Sequence, residues 1–234
     1  MERTEYRNGY CTPELRKAMR DAIATYQEKI MDGETVSVHI EQGNKKTHIP
    51  SVSAMPYITC PAVCEGTCDG KCYAGKLCAI YKNVLNAYAR NTALYFAKPD
   101  YYFDAIKKAA YNVRFFRYHV AGDIINADYF DRMVQLAKEL PNTTFLCFTK
   151  RYAIVNAWIN ANGAIPSNLK VLFSGWSNLK PSNPYNLPET TVYGKHDEPD
   201  PSWLLCGGNC LECACRGVGC WQLKNGEKLA FEIH

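Results

Sequence analysis

Hydrophobic residues recur at close to helical spacing near the start of the chain, at Leu15, Met19, Ile23, Tyr26 and Ile30. Thr12 before Pro13 is typical of a helix N-terminus, and Gly33 is typical of a helix end, so we predict a helix from Pro13. Apolar residues then alternate over residues 36–40, and a return segment at residues 46–49 follows a Gly-Asn pair. This second pattern predicts a hairpin.

From residue 51 onward, short apolar runs alternate with amphipathic segments. The short runs predict strands at residues 51–58, 113–120, 143–149, 169–173, 190–193 and 228–233. The amphipathic segments predict helices at residues 77–94, 99–112, 126–140 and 152–162. Strands that alternate with helices are typical of βαβ units around a parallel sheet. We therefore expect an α/β fold whose sheet forms a partial (β/α) barrel.

The same patterns divide the chain into three parts. Residues 1–50 are predicted to form a helix and hairpin extension outside the main sheet. Residues 51–200 are predicted to form the partial barrel, and residues 201–234 a cysteine-rich C-terminal segment. The chain has 234 residues and an apolar share of 47%, which is enough for one large domain with a substantial core.

Functional groups of parallel barrels gather at the edge where the strands end. A cysteine-rich loop follows the first predicted strand, and the loops at residues 121–123, 149–151 and 174–177 follow later ones. We therefore expect these four loops to meet at one rim.

Three polar residues lie on apolar elements and are candidate site residues. Arg117 and His119 share one face of a predicted strand, and we expect that face to point into the barrel. For His119 two interpretations stay open, a cofactor contact and a hydrogen-bonded interior histidine. Asn91 lies on the apolar stripe of a predicted helix. A buried amide needs partners, so Asn91 is either a structural bridge or a ligand contact.

Composition and charge narrow the class of protein. The net charge of +4 falls short of the basic footprint of a dedicated nucleic-acid binder, although a nucleic-acid substrate is still permitted. The N-terminus lacks the apolar core of a signal peptide, and no apolar run approaches the roughly 20 residues that span a bilayer. We therefore expect a cytoplasmic protein in which twelve cysteines do not serve as disulfides.

Most of the cysteines fall into two groups. The N-terminal cysteine group consists of Cys60, Cys64, Cys68 and Cys72. The C-terminal cysteine group consists of Cys206, Cys210, Cys213, Cys215 and Cys220. Compact runs of thiols with about three residues between them favour iron–sulfur clusters over structural zinc, which usually takes two close pairs separated by a longer span. The remaining three, Cys11, Cys78 and Cys147, are interpreted as small buried residues.

The number of ligands decides what a cluster does. Three thiolates leave one iron open for a substrate or cofactor, whereas four close the cluster for structure or electron transfer. The N-terminal cysteine group lies at the predicted rim and is the candidate open site. The C-terminal cysteine group is the candidate closed, auxiliary site.

Several motifs resemble the phage gene product 88 family. They are Cys60-Pro61, Cys68-x3-Cys72-Tyr73-Ala74, Arg90-Asn91-Thr92, residues 117–123, residues 148–152, Cys206-x3-Cys210-x2-Cys213, Cys220-Trp221 and residues 231–234. The resemblance covers roughly residues 50 to 234 in consistent order. The resemblance implies a bacterial or phage-infected host cell, but the family name alone assigns no reaction.

The arrangement is also similar, more distantly, to radical S-adenosylmethionine (SAM) enzymes. That resemblance implies a [4Fe–4S] cluster on Cys60, Cys68 and Cys72, with SAM as a cofactor and a radical reaction fed by an electron donor. Gly122 and Asp123 would approach the methionine part of SAM, with the remaining cofactor contacts from Thr149 and Ser174. The cysteine spacing adds a second, auxiliary cluster on Cys206, Cys210, Cys213 and Cys220, and the positions of His119 and Asn91 add these two as candidate cofactor contacts.

One departure from the radical-SAM pattern concerns ligand number. The usual spacing, Cys-x3-Cys-x2-Cys, does not occur in the N-terminal loop, and Cys64 is an extra thiol that either replaces Cys60 or closes the cluster. Cys215 raises the same question in the C-terminal group. The substrate is left open between a nucleic acid, a peptide and a metabolite, and no membrane partner is expected. The alternative function is a non-enzymatic zinc or closed-cluster protein that serves as a nucleic-acid or protein interaction module.

Overall fold

The computed structural model describes residues 11–43, 48–194 and 198–232. Its helices are α1 (Pro13–Met31), α2 (Tyr73–Ile80), α3 (Lys82–Ala97), α4 (Pro99–Ala110), α5 (Ala127–Glu139), α6 (Tyr152–Asn162) and α7 (Cys210–Arg216). Its strands are β1 (Ser51–Val52), β2 (Phe115–Tyr118), β3 (Thr144–Thr149), β4 (Leu169–Ser174), β5 (Glu189–Tyr193), β6 (Leu204–Leu205) and β7 (Lys228–Glu232).

All seven strands form one sheet in the order β1-β2-β3-β4-β5-β7-β6, and every neighbouring pair is parallel. The sheet is open, with β1 and β6 at its edges. The predicted α/β class with a parallel sheet is therefore confirmed. Parallel strands all end at the same edge of a sheet, so the loops after β1, β2, β3, β4 and β6 meet there.

The two faces of the sheet are covered by different parts of the chain. Phe116 and Tyr118 of β2 pack with Phe145 of β3 in the larger buried cluster, which also includes residues of α3, α4 and α5. On the opposite face, Leu146 and Leu172 join Trp221 of the C-terminal segment in a second buried cluster. Burial on both faces explains why these strands read as almost continuous apolar runs.

The C-terminal segment is part of the same sheet. β6 and β7 both come from residues after 200, and β7 inserts between β5 and β6. The sheet therefore extends across the boundary that the sequence pattern placed at residue 200.

Several predicted elements differ from the structure. The predicted strand at residues 51–58 is reduced to β1, and the predicted helix at residues 77–94 is two helices separated at Tyr81. Tyr81 has an extended backbone (φ −116°, ψ 105°), which interrupts the helical hydrogen bonds although the side-chain pattern continues across it.

The predicted N-terminal hairpin is described only in part. Residues 36–40 contain no strand, and Glu41 makes an isolated antiparallel bridge with Ser51 at the free edge of β1. Half of the predicted return segment, residues 46–47, lies outside the described residues. α1 was correctly predicted, and Thr12 caps it by accepting a hydrogen bond from the Leu15 amide at 3.1 Å.

Two elements were not predicted at all. α7 and β6 lie in the C-terminal segment, where the density of cysteine and glycine hides the short apolar pattern. In the described part of the chain, none of the helices combines the length and apolar character needed to cross a membrane.

Candidate metal centre

A cavity of about 920 Å³ opens at the edge of the sheet where the strands end. Its walls include both cysteine groups, namely Cys60, Cys64, Cys68, Cys72, Cys206, Cys210, Cys213 and Cys220. The predicted convergence of loops is also found, because Gly122, Asp123, Thr149 and Ser174 line the same cavity. Two groups of thiols separated by more than 130 residues in sequence therefore face a single space.

The N-terminal cysteine group lies in a loop built from two short 3-10 turns, Ala62–Cys64 and Asp69–Lys71. Cys64 is buried, and its thiol interacts with the thiols of Cys60 and Cys68. Hydrogen bonding to these two neighbours and burial raise the pKa of Cys64. Cys72 is the N-cap of α2, where its sulfur accepts from the Gly75 amide at 3.5 Å.

The thiols of this group are electrostatically unequal. The hydrogen bond from Cys64 lowers the pKa of Cys68 to about 6, and the nearby Lys150 ammonium acts in the same direction. Burial raises the pKa of Cys72 to about 11. A thiolate is the form that binds metals, so Cys68 is the thiol of the group most readily prepared for ligation.

The C-terminal cysteine group is held by β6, α7 and the chain after it. The Cys206 amide donates to the Ala230 carbonyl at 2.9 Å, which fixes Cys206 at the end of β6 beside β7. Asn209 caps α7 and thereby orients Cys210 and Cys213. Cys220 follows in a 3-10 turn, and burial raises its pKa to about 12. Cys215, by contrast, is exposed to solvent.

The loop after β2 is packed tightly against the start of the N-terminal cysteine loop. Gly122 has a left-handed backbone (φ +79°), and an added Cβ would lie 2.7 Å from both the Ala54 carbonyl oxygen and Thr59 Oγ1. Thr59 Oγ1 also accepts from the Asp123 amide at 3.2 Å. Only glycine fits here, because both the conformation and the close contact exclude a side chain.

Asp123 is buried and organises the neighbouring loops. Its carboxylate accepts from Thr149 Oγ1 at 2.5 Å, from the Ile124 amide at 2.7 Å and from the Lys150 amide at 2.8 Å. Burial raises the pKa of Asp123, and these hydrogen bonds oppose that shift. Asp123 and Thr149 therefore tie the ends of β2 and β3 together at the cavity wall.

The next strand adds a second polar patch. Lys150 Nζ donates to Ser174 Oγ at 2.8 Å and lies 5.9 Å from the centre of the Trp176 ring. All three residues line the cavity. Ser174 was predicted as a site residue, whereas Lys150 was predicted only to lie in the rim loop at residues 149–151.

Arg117 faces the cavity, as the alternation along its strand predicted. Its guanidinium lies 5.1 Å from the centre of the Phe148 ring and interacts with the Cys210 thiol. This second contact could not be predicted from the pattern of residues, because Cys210 comes from a distant part of the chain.

His119 also lines the cavity, but its side chain does not share the face of Arg117 as predicted. Its backbone is left-handed (φ +55°), which ends the alternation of side chains after Tyr118. Its Nε2 lies 3.1 Å from the Tyr129 hydroxyl and its Nδ1 lies 3.8 Å from Cys147 Sγ, on the helix-covered side of the sheet. Burial lowers the pKa of His119 to about 3, so the imidazole is neutral. These contacts are those of a hydrogen-bonded interior histidine.

Asn91 bridges three parts of the backbone. Its Oδ1 accepts from the His39 amide at 2.7 Å, and its Nδ2 donates to the carbonyls of His39 and Ser53 at 2.9 and 3.0 Å. The buried amide thus joins α3 to β1 and to the segment before it. Of the two roles that the sequence left open, these contacts fit the structural bridge.

The donor set of both groups is made of thiols. Within residues 11–43, 48–194 and 198–232, no three or more His, Cys, Asp or Glu side chains are already arranged as ligands of a metal ion. The thiols nevertheless share one cavity, and thiolates are the ligands of iron–sulfur clusters and of many structural zinc sites. The chemistry of the donors fits such a group.

The family model for gene product 88 matches residues 17–216. No curated protein and no solved structure matches the chain. The matched residues include β1 to β6, the whole N-terminal cysteine group and three cysteines that line the cavity from the C-terminal group. The chain therefore belongs to the gene product 88 family.

Proposed function

We propose that this protein is an iron–sulfur enzyme of radical-SAM type, with a substrate-facing [4Fe–4S] cluster on Cys60, Cys68 and Cys72. An auxiliary cluster would be held by Cys206, Cys210, Cys213 and Cys220. The observation that carries the proposal is the meeting of both cysteine groups in one cavity at the carboxyl edge of a parallel sheet. Active sites of (β/α) barrels occupy that edge.

The fit to SAM rests on the loops after β2, β3 and β4. When bound, a reduced cluster with an open iron would supply one electron to SAM, which would yield methionine and, after a hydrogen atom is taken from the substrate, 5′-deoxyadenosine. Gly122 lets the β2 loop pack closely against Ala54 and Thr59 at the cavity wall. Thr149 and Ser174 offer hydroxyl groups at the cavity wall, and Lys150 offers a positive charge beside Ser174.

Within this site Asp123 acts as a positioning residue. Its carboxylate is occupied by the Thr149 hydroxyl and two backbone amides, so it fixes the loops instead of presenting free oxygens. The buried apolar walls from Leu146 and Phe148 would exclude water from a reactive species.

A second function is favoured by one specific observation. Cys64 is buried between Cys60 and Cys68 and contacts both, so it is placed to act as a fourth ligand. Four ligands would close the cluster, and the protein would then be a closed-cluster or zinc-binding module without SAM chemistry.

Purification under anaerobic conditions separates these functions. The proposed enzyme should be brown and contain about eight iron atoms, and its reduced form should change its electron paramagnetic resonance (EPR) spectrum when SAM is added. It should also release 5′-deoxyadenosine after reduction with dithionite. Colourless protein that contains only zinc contradicts the proposal, and iron-loaded protein without any response to SAM supports the closed cluster.

Cys64→Ala tests ligand number directly. With three ligands at Cys60, Cys68 and Cys72, the variant should keep its full iron content and its response to SAM. Loss of about half of the iron would identify Cys64 as a ligand and favour the second function.

A further inference from the structure

Arg117 is a cation in an unusual position, in the wall of the cavity that both cysteine groups share. It projects from β2 on the face opposite Phe116 and Tyr118, which pack toward the helices. Its guanidinium stacks against Phe148 and reaches Cys210 of the C-terminal cysteine group. Arg117 therefore brings β2 into contact with a cysteine that is 93 residues further along the chain (210 − 117).

Within the described residues, no carboxylate forms an ion pair with Arg117. The ion pairs of arginine there are made by Arg16, Arg132 and Arg216. The Nε of Arg117 is buried and has no hydrogen-bond partner in the same residues. A guanidinium with buried atoms needs a compensating anion, and a [4Fe–4S] cluster held by four thiolates would supply that negative charge.

Arg117 lies close to more than one thiol of the C-terminal cysteine group. Its guanidinium lies over Phe148, and Phe148 packs against the same buried cluster as Cys206, Cys210, Cys213 and Cys220. Arg117 and these four cysteines also line the same cavity. The positive charge is therefore placed beside the C-terminal cysteine group.

We propose that Arg117 raises the reduction potential of the C-terminal cluster. This inference rests on the proposed function, because it requires an iron–sulfur cluster on Cys206, Cys210, Cys213 and Cys220. One-electron reduction adds one negative charge to the cluster and its thiolates, with the electron coming from an external donor. A nearby positive charge in an interior of low dielectric constant stabilises that added charge, as do hydrogen bonds to cluster sulfurs.

The test is a potentiometric titration of the full chain, followed by EPR, with dithionite as reductant. Cys72→Ala assigns the signals, because it removes a ligand of the N-terminal cluster only. Arg117→Met keeps the length and apolar contacts of the side chain but removes its charge. At a fixed potential, we expect the ratio of reduced to oxidised C-terminal cluster to fall about tenfold, equivalent to a shift of about 59 mV for one electron.

Arg114→Met is the matched control. Arg114 is exposed, one residue before β2, and its guanidinium lies over the Phe115 ring. The Arg114→Met variant loses one positive charge at the surface, so its C-terminal cluster should keep the wild-type ratio of reduced to oxidised cluster. Arg117→Lys keeps the positive charge, so its ratio of reduced to oxidised C-terminal cluster should stay within about threefold of the wild-type ratio. A tenfold change in this ratio corresponds to about 59 mV.

Each outcome decides the inference. An unchanged ratio in Arg117→Met, or an equal shift in Arg114→Met, overturns it. If Arg117→Met fails to bind iron while Arg117→Lys binds it normally, the result supports a requirement for positive charge at this position. If both variants lose iron, Arg117 has a packing role and the inference is overturned. Wild-type protein without iron overturns the proposed function itself, which the iron content shows before any titration.

Discussion

The N-terminal and C-terminal cysteine groups face one cavity but are built from different kinds of structure. The N-terminal loop leaves the edge strand β1 and is locked by Gly122 and Thr59 against the loop after β2. The C-terminal group is carried by a two-residue strand and a seven-residue helix near the surface. The first is thus anchored in the main core, and the second is stabilised mainly by Trp221 and its neighbours on the other face of the sheet.

The difference indicates how each group responds to change. A substitution that distorts the β2 loop should weaken metal binding by the N-terminal cysteine group, because the two loops are in direct backbone contact. The C-terminal cysteine group packs on the other face of the sheet, so its metal binding should not change. Conversely, an exposed residue of the C-terminal segment should be replaceable without any effect on the core.

The largest expected effect is the loss of one cluster at a time. Cys72→Ala should lose about half of the bound iron, because one of two cubanes loses a ligand. Cys213→Ala is the paired variant and should remove the other half. Iron analysis and EPR of both variants provide the measurement, and loss of all iron in either one would contradict the independence of the two groups.

Gly122→Ala should selectively weaken the N-terminal group. The left-handed backbone costs a non-glycine residue about 1–2 kcal/mol, and the clash with the Ala54 carbonyl adds to it. The midpoint of urea unfolding should therefore fall, and iron should be lost first from the N-terminal group. Gly33→Ala has a similar φ of +82° but open space around the added Cβ, so it isolates the backbone cost from the clash. Equal destabilisation by both changes would contradict a role for the close contact.

Acid should weaken the core beneath the N-terminal group through His119. Its pKa is lowered to about 3 in the folded protein, against about 6.5 in the unfolded chain. The unfolded state therefore binds more protons below pH 6.5, so the stabilising contribution of a neutral His119 is complete above that pH. It should decline by up to about 1.4 kcal/mol per pH unit as the pH falls toward 3.

His119→Gln provides the control, because glutamine can bond Tyr129 but does not titrate. Urea unfolding at several pH values should show the stability of wild type falling relative to the variant below pH 6.5. Asp123 is present in both proteins, so its own titration cancels in the difference. A pH-independent difference would show that His119 is not held neutral.

The smallest effect is expected at Cys215, which is exposed and apart from the thiols that line the cavity. Cys215→Ser should keep its full iron content and change the free energy of unfolding by no more than about 0.5 kcal/mol, as is usual for surface substitutions. Loss of iron from the C-terminal group would instead make Cys215 a ligand.

The sequence predicted the elements that have strong periodic patterns. α1, α5 and α6 were found near their expected positions, as were β2 to β5 and β7, because apolar spacing and caps such as Asn126 act over a few residues. It also predicted that the loops after the strands meet at one edge, since parallel strands leave no other arrangement.

The sequence could not predict the positions at which local backbone conformation interrupts the hydrophobic pattern of a helix or strand. Tyr81 breaks an apolar stripe by backbone conformation alone, and the left-handed His119 turns its side chain away from the face shared with Arg117. Such backbone changes leave no mark on hydrophobic spacing. α7 was missed because cysteines placed as candidate ligands obscure the helical pattern.

Taken by itself, the sequence determined the parallel α/β fold and identified two sets of thiols. Only the tertiary structure decided that both sets face one cavity, that Cys64 contacts Cys60 and Cys68, and that Arg117 reaches Cys210. The physical reason is that spacing encodes local geometry, whereas the placement of β7 between β5 and β6 brings distant segments together. That insertion places the C-terminal cysteines opposite the N-terminal loop.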